Sequence, residues 1–279
     1  MCPRWQASQN TSMTRARALS VLTGLAIAAC SFAADKTLDV VWGTGQHVKA
    51  VVSYPKGQGK APIIFIASGR SGGMGTNIIK GLADKAVRDG LIAVRFDYGY
   101  FASKGEPSKG LVDEADQFDA VIQEVFKDPR VDQKRVVIAG KSLGSVVAHR
   151  VFNQKPSYLG ELLLTPIITT LDDAGRLYPN LVVSGRPAVL VIGNQDTENA
   201  PLGVVYNFMR DASRKIMVDI VAGNHGFEVT PLTDAMGKRL NAGNADAAME
   251  VAEYWVRQIA RIIPPAPPAV QVLQKGKKK

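Results

Sequence analysis

Cysteine is nearly missing from this sequence. Only Cys2 and Cys30 occur among its 279 residues, so the body of the chain has no disulfide framework, no cysteine nucleophile and no cysteine-based metal site. A domain of this size does not depend on disulfides, and their lack is compatible with an oxidising compartment. Histidine is scarce as well: His47, His149 and His225 are the whole supply from which a general base can be drawn. No internal repeat is present. No apolar run is long enough for a permanent membrane span, because the longest candidate, 18–29, falls well short of the roughly 20 residues a bilayer requires.

Positive charge is in surplus but sits at the ends. Of a net charge of +9, seven units come from Arg4, Arg15, Arg17, Lys275, Lys277, Lys278 and Lys279, with no acidic residue beside them. The remaining chain keeps a surplus of about 2, which gives little support to a nucleic-acid-binding surface. The hydrophobic content of 46% is ample for a large core.

Residues 1–33 have the form of an export signal. Met13-Thr14-Arg15-Ala16-Arg17 is a positive leader to the apolar stretch 18–29, and Met13 is itself a plausible natural start. Two cleavage readings stand. Ser31-Phe32-Ala33 before Ala34 suits ordinary signal peptidase and yields a soluble periplasmic or secreted protein. Ile27-Ala28-Ala29-Cys30 resembles a bacterial lipobox, in which Cys30 is acylated and the protein is membrane-anchored. The soluble form is preferred, because an anchor at Cys30 leaves a very short tether. Residues 263–279, rich in Pro and then Lys, cannot form a packed element and read as an extended tail. The folded domain is therefore expected over 34–262.

Within it, the stretch Val136-Val137-Ile138-Ala139-Gly140-Lys141-Ser142-Leu143-Gly144-Ser145-Val146-Val147-Ala148 breaks at G-x-S-x-G. It reads as buried strand, sharp turn and helix. A serine at such a tip adopts strained backbone angles, and side chains at 140 and 144 would collide with the neighbouring strand and helix. The Leu143 N–H falls at a helix N-terminus, where it can stabilise an oxyanion. The plain alternative is a glycine-rich turn with no chemistry, and the partners further along the chain decide between the two.

The chain in order predicts a hairpin from 38–42 and 48–54, a buried strand at 62–67, a helix at 76–88 and a strand at 91–96. A polar loop through 110 leads to a helix at 111–126, and then come the elbow strand and its helix to about 152. Strands follow at 161–164, 187–192 and 215–221, with helices at 201–212 and 245–262. The segment 165–187 shows little sustained periodicity. Alternation of strand and helix points to an α/β domain with about eight strands, a mostly parallel sheet and helices on both faces.

A serine nucleophile requires a base. His47 lies on the early hairpin, and His149 lies about two turns into the helix after Ser142, pointing away from its tip. His225, in the loop Val221-Ala222-Gly223-Asn224-His225-Gly226-Phe227 after the last strand, remains. Asp196 follows the strand 187–192 in Gly193-Asn194-Gln195-Asp196, at a C-terminal strand end where functional groups of open parallel sheets collect. Its alternative role is to cap the helix near Pro201. Glu198, Asp172 and Asp173 are weaker candidates for the carboxylate.

With the order Ser142, Asp196, His225, the chain resembles the α/β-hydrolase family over nearly all of 38–262. The short segment 165–187 is similar to compact, lidless hydrolases of the dienelactone-hydrolase type, although the nucleophile there is commonly cysteine. The resemblance implies a second oxyanion donor in the loop after the third strand, here Ser68-Gly69-Arg70-Ser71-Gly72-Gly73. That loop departs from the familiar His-Gly start, and the donor is Gly69 or Arg70. The expected protein is a serine hydrolase acting on a small-molecule acyl substrate, most readily a carboxylic ester. A peptidase, an acyltransferase and a non-catalytic exported binding protein on this scaffold are the alternatives. No metal, organic cofactor or nucleic-acid partner is implied.

Overall fold

The computed structural model describes residues 35–57 and 59–262. Residues 1–33, read above as an export signal, and residues 263–279, read as a tail, lie outside the described residues. The sheet begins with the hairpin β1 (Asp35–Trp42) and β2 (Gln46–Ser53), closed by Gly45 N–H donating to Trp42 O at 3.2 Å. Then come β3 (Ala61–Ala67), β4 (Ile92–Phe96), β5 (Val131–Lys141), β6 (Gly160–Leu164), β7 (Ala188–Gly193) and β8 (Ile216–Val221). The eight strands form one sheet in the order β1-β2-β4-β3-β5-β6-β7-β8. β1–β2 and β2–β4 are antiparallel and every later pairing is parallel.

The buried strands are apolar almost throughout because both faces of the sheet are covered. On one face, Ile64, Ile66, Val137, Ala139 and Leu162 pack against α1 (Asn77–Arg88) and α7 (Ala235–Ala260). On the other, Ile63, Phe65, Val136 and Ile138 meet α3 (Val112–Val125) and α4 (Leu143–Gln154). A third cluster joins β6 and β7 to α5 (Leu171–Leu177) and α6 (Leu202–Met209). Each fully buried Leu, Ile or Phe contributes about 1.5–3 kcal/mol, and the parallel core strands contain little else.

Three elements differ from the sequence expectation. The loop after β4 holds the short helix α2 (Gly99–Ser103) and a single 3₁₀ turn at Lys109–Leu111. The aperiodic segment 165–187 holds α5, which Thr170 caps by accepting from Asp173 N–H at 3.0 Å. The last helix starts ten residues before the expected 245. Its first half exposes most of its side chains and includes Gly237 and Gly243, so it lacks both an apolar stripe and helix-favouring composition. The start is set instead by Asp234, which accepts from Gly237 N–H at 2.7 Å, a cap of the kind that stabilises a helix start by about 1 kcal/mol. Among the described residues α5 is the only helical structure between β6 and β7, and no large lid covers the C-terminal ends of the strands.

Candidate active site

A tight turn lies between β5 and α4. Ser142 has φ +54° and ψ −123°, a combination that costs a non-glycine residue of order 1–3 kcal/mol. The surrounding backbone holds it there. Ser142 N–H donates to Leu164 O at 2.9 Å, and the Ser142 carbonyl accepts from Ser145 N–H at 2.9 Å and Ser145 Oγ at 2.6 Å. Ser145 Oγ also bonds Tyr178 OH at 2.7 Å, and Tyr178 OH accepts from Ile167 N–H at 2.9 Å.

The two motif glycines are required for close approach. A Cβ at Gly140 would overlap the Gly144 carbonyl and lie 2.7 Å from Ser145 N, and one at Gly144 would overlap Ser68 O and lie 2.7 Å from Ala67 O. These are backbone atoms that cannot swing aside.

The loop after β3 packs directly on the turn, so that a Cβ on Gly69 would lie 3.3 Å from Ser142 Cβ. Its carbonyl accepts from Tyr100 OH at 3.3 Å. Leu143 is the first residue of α4, where N–H groups have no partner within the helix. Arg70 turns its exposed side chain to Glu106 in an ion pair.

At the other wall, β7 and β8 end side by side. Gly193 has no side chain to separate them, since a Cβ there would lie within 2.5 Å of Asn224 O. Asn194 Oδ1 accepts from Gly223 N–H at 3.0 Å and Gln195 N–H donates to Gly223 O at 2.8 Å. The buried Phe227 anchors the loop from below. These contacts bring His225 Nδ1 to 2.6 Å from Asp196 Oδ2.

Asp196 is buried, and its Oδ1 accepts from Asn199 Nδ2 at 3.0 Å and Asn199 N–H at 3.4 Å. Burial works against its charge, but the bonds from His225 and Asn199 outweigh it and hold the carboxyl below the usual aspartate range. A carboxylate at Nδ1 fixes the proton on that nitrogen and leaves Nε2 able to accept. Asp196 does not cap α6, whose N-terminal flank is Pro201.

Ser142 and His225 line one small cavity of about 130 Å³ together with Gly69, Arg70, Thr76, Ile78 and Lys141. Among the described residues no hydrogen bond joins Ser142 Oγ to His225. Glu198 shares a neighbouring 240 Å³ hollow with Asp196 and His225. Asp172 and Asp173 lie in the first turn of α5, where Asp173 pairs with Arg176. The other histidines are engaged elsewhere. His47 is exposed on β2, 3.0 Å from Asp39, and His149 is buried on α4, with Nδ1 3.0 Å from Glu161. Among the described residues no group of three or more His, Cys, Asp or Glu side chains is placed to hold a metal ion.

Two features of the site were not singled out from the sequence. Lys141, inside the motif, lines the cavity, and the Ser145–Tyr178 bond braces the turn from 33 residues away. Neither carries a local sequence signal.

A parallel sheet covered on both faces, with a strained serine at a strand-to-helix turn and an aspartate–histidine pair at the neighbouring strand ends, defines the α/β-hydrolase class. The chain belongs to that family: the alpha/beta hydrolase domain matches residues 60–254. No curated protein matches the sequence. Among solved structures, an α/β serine hydrolase without a lid from Xanthomonas campestris is similar at a TM-score of 0.62 and 16% identity, over 85% of this chain and 98% of its own. The protein Est1E from Butyrivibrio proteoclasticus reaches 0.63 at 14% identity over 81% and 99%. A dienelactone hydrolase from Anabaena variabilis reaches 0.62 at 15% over 81% and 98%. At such identities the likeness is one of fold, and the fold is that of serine hydrolases and esterases.

Proposed function

We propose that this protein is a serine esterase that cleaves small carboxylic esters through an acyl-enzyme on Ser142. The observation that carries the reading is that Ser142, in its strained turn, shares a cavity with a histidine whose Nδ1 is bound by a buried carboxylate. Ser142 Oγ attacks the ester carbonyl carbon while its proton passes to His225 Nε2. Asp196 keeps the imidazole in the required tautomer and stabilises the imidazolium. The N–H groups of Leu143 and of Gly69 or Arg70 receive the oxyanion. Collapse of the tetrahedral adduct breaks the C–O bond, and the departing alcohol takes the proton from His225. Water, deprotonated by His225, then releases the acid and restores Ser142.

Hydrolysis of p-nitrophenyl acetate tests this reading: activity is expected in the wild type and a loss on the order of 10⁶ in kcat in Ser142→Ala. A variant that keeps more than a few per cent of wild-type activity removes Ser142 from the role. Residues 1–33 fit export of such an enzyme. Its intact mass from the native host is expected to begin near Ala34, acylation at Cys30 would assign the anchored form, and a start at Met1 would refute both.

A further inference from the structure

Two charged side chains besides His225 line this cavity, Arg70 and Lys141; Arg70 is paired with Glu106, and Lys141 is left unused by the proposed chemistry. It ends β5 and immediately precedes Ser142. Side chains alternate across a strand, and Val137 and Ala139 belong to the core on the α1 and α7 side. Lys141 therefore leaves the sheet on that side, and there it lines the 130 Å³ cavity with Ser142, His225 and Ile78.

Among the described residues its ammonium has no hydrogen bond, and no carboxylate lies within salt-bridge distance of 4.0 Å. Burial pushes the Lys141 pKa down to about 8, with Asp196 acting weakly in the opposite sense. The one carboxylate that acts on it, Asp196, is already engaged by His225 and Asn199. Lys141 is half-buried in the cavity wall, and no protein carboxylate neutralises its charge. An anion arriving with the substrate can pair with it there without displacing a protein partner.

We infer that Lys141 is the anion-binding residue of the substrate site, and that the ester hydrolysed here has a carboxylate within a few bonds of the scissile carbonyl. The small cavity restricts this class to short acids and short hydroxy acids. The inference deepens the esterase reading and rests on it for the word ester, while the anion site itself rests on Lys141 alone.

The test compares charged and neutral isosteres. Values of kcat/KM are measured for the p-nitrophenyl monoester of glutaric acid against p-nitrophenyl pentanoate, which places the charge on the acyl side. O-acetylglycolate against propyl acetate places it on the alcohol side. In the wild type the charged member of at least one pair is expected to be favoured by about tenfold or more, and Lys141→Met should abolish that preference while Lys141→Arg retains most of it. The ratio within a pair is unaffected by a general loss of activity, and Lys141→Gln replaces the Met variant should the latter fail to fold.

A second arm does not depend on catalysis. Calorimetric titration of glutarate into Ser142→Ala is expected to show binding that disappears when Lys141→Met is added. Continued hydrolysis by Ser142→Ala would overturn the nucleophile and leave the anion site standing on this titration. Equal losses on charged and neutral esters in Lys141→Met, together with glutarate binding that is absent or indifferent to Lys141, would overturn the inference.

Discussion

Replacing Asp196 by Asn changes one oxygen for one NH₂, and the structure dictates which way the new amide faces. Oδ1 of Asp196 accepts two donors from Asn199, at 3.0 and 3.4 Å, while Oδ2 faces His225 Nδ1 at 2.6 Å. An asparagine keeps its oxygen toward the two Asn199 donors, because its NH₂ there would meet donor against donor. The NH₂ therefore faces His225 and donates to Nδ1. That forces the imidazole proton onto Nε2, the nitrogen that must accept from Ser142. A loss of roughly 10⁴ in kcat follows, about 5 kcal/mol of transition-state stabilisation, from the wrong tautomer. The assay is steady-state hydrolysis of p-nitrophenyl acetate, with circular dichroism to show that the fold is retained. Adding Asn199→Ala to Asp196→Asn removes one of the orienting donors, so the amide can turn and part of the activity should return. A folded Asp196→Asn protein with kcat within about tenfold of wild type would refute the assignment of Asp196. The same large loss in Glu198→Gln instead would move the role to that residue.

Gly144→Ala sets a Cβ against Ser68 O and 2.7 Å from Ala67 O, so urea denaturation should show a loss of about 3 kcal/mol, and a loss below 1 would contradict the packing argument. His225→Ala should abolish ester hydrolysis, whereas His47→Ala, altering an exposed side chain on β2, should leave kcat unchanged; equal effects on kcat would mean that another base is at work. The buried His149–Glu161 pair predicts a pH dependence of stability. Burial alone would lower the His149 pKa, but Glu161 and the Pro179 carbonyl outweigh it and the opposing Arg186, and the net shift is upward. A raised folded value means that the pair's contribution is present in full below the unfolded imidazole pKa of about 6.5 and is lost as pH rises through the folded one. The stability gap between wild type and Glu161→Gln should therefore be larger at pH 5.5 than at pH 9, and a gap independent of pH would refute the ion pair.

Much of this site was legible because its local rules are severe. The turn at Ser142 tolerates only glycine at the two positions where backbone meets backbone, so Gly140 and Gly144 are visible in the sequence itself. The core strands were legible for a similar reason, since β3 and β7 are buried on both faces and read as unbroken apolar runs, and β4 and β6 depart from that only at Arg95 and Glu161. Asp196 and His225 could be chosen by their positions at strand ends, although their 2.6 Å bond depends on the Gly193 approach and on Asn194 reaching Gly223. Lys141 was not legible, because its significance lies in which way the β5 pleat turns the side chain and in the lack of a partner there. The first half of α7 was missed because Asp234 and contacts across the loop stabilise it, with no apolar stripe to announce it. Tyr178 was missed because its hydroxyl acts on a turn remote in sequence.

The central claim is that Ser142 is an activated nucleophile, and covalent labelling tests it most directly. The full-length protein is treated with a fluorophosphonate and digested, and the adduct is mapped by mass spectrometry. A single adduct on Ser142, absent from Ser142→Ala and strongly slowed in His225→Ala, is the expected result. An adduct on another serine that persists in Ser142→Ala, or no adduct at all on the folded wild type, would contradict it.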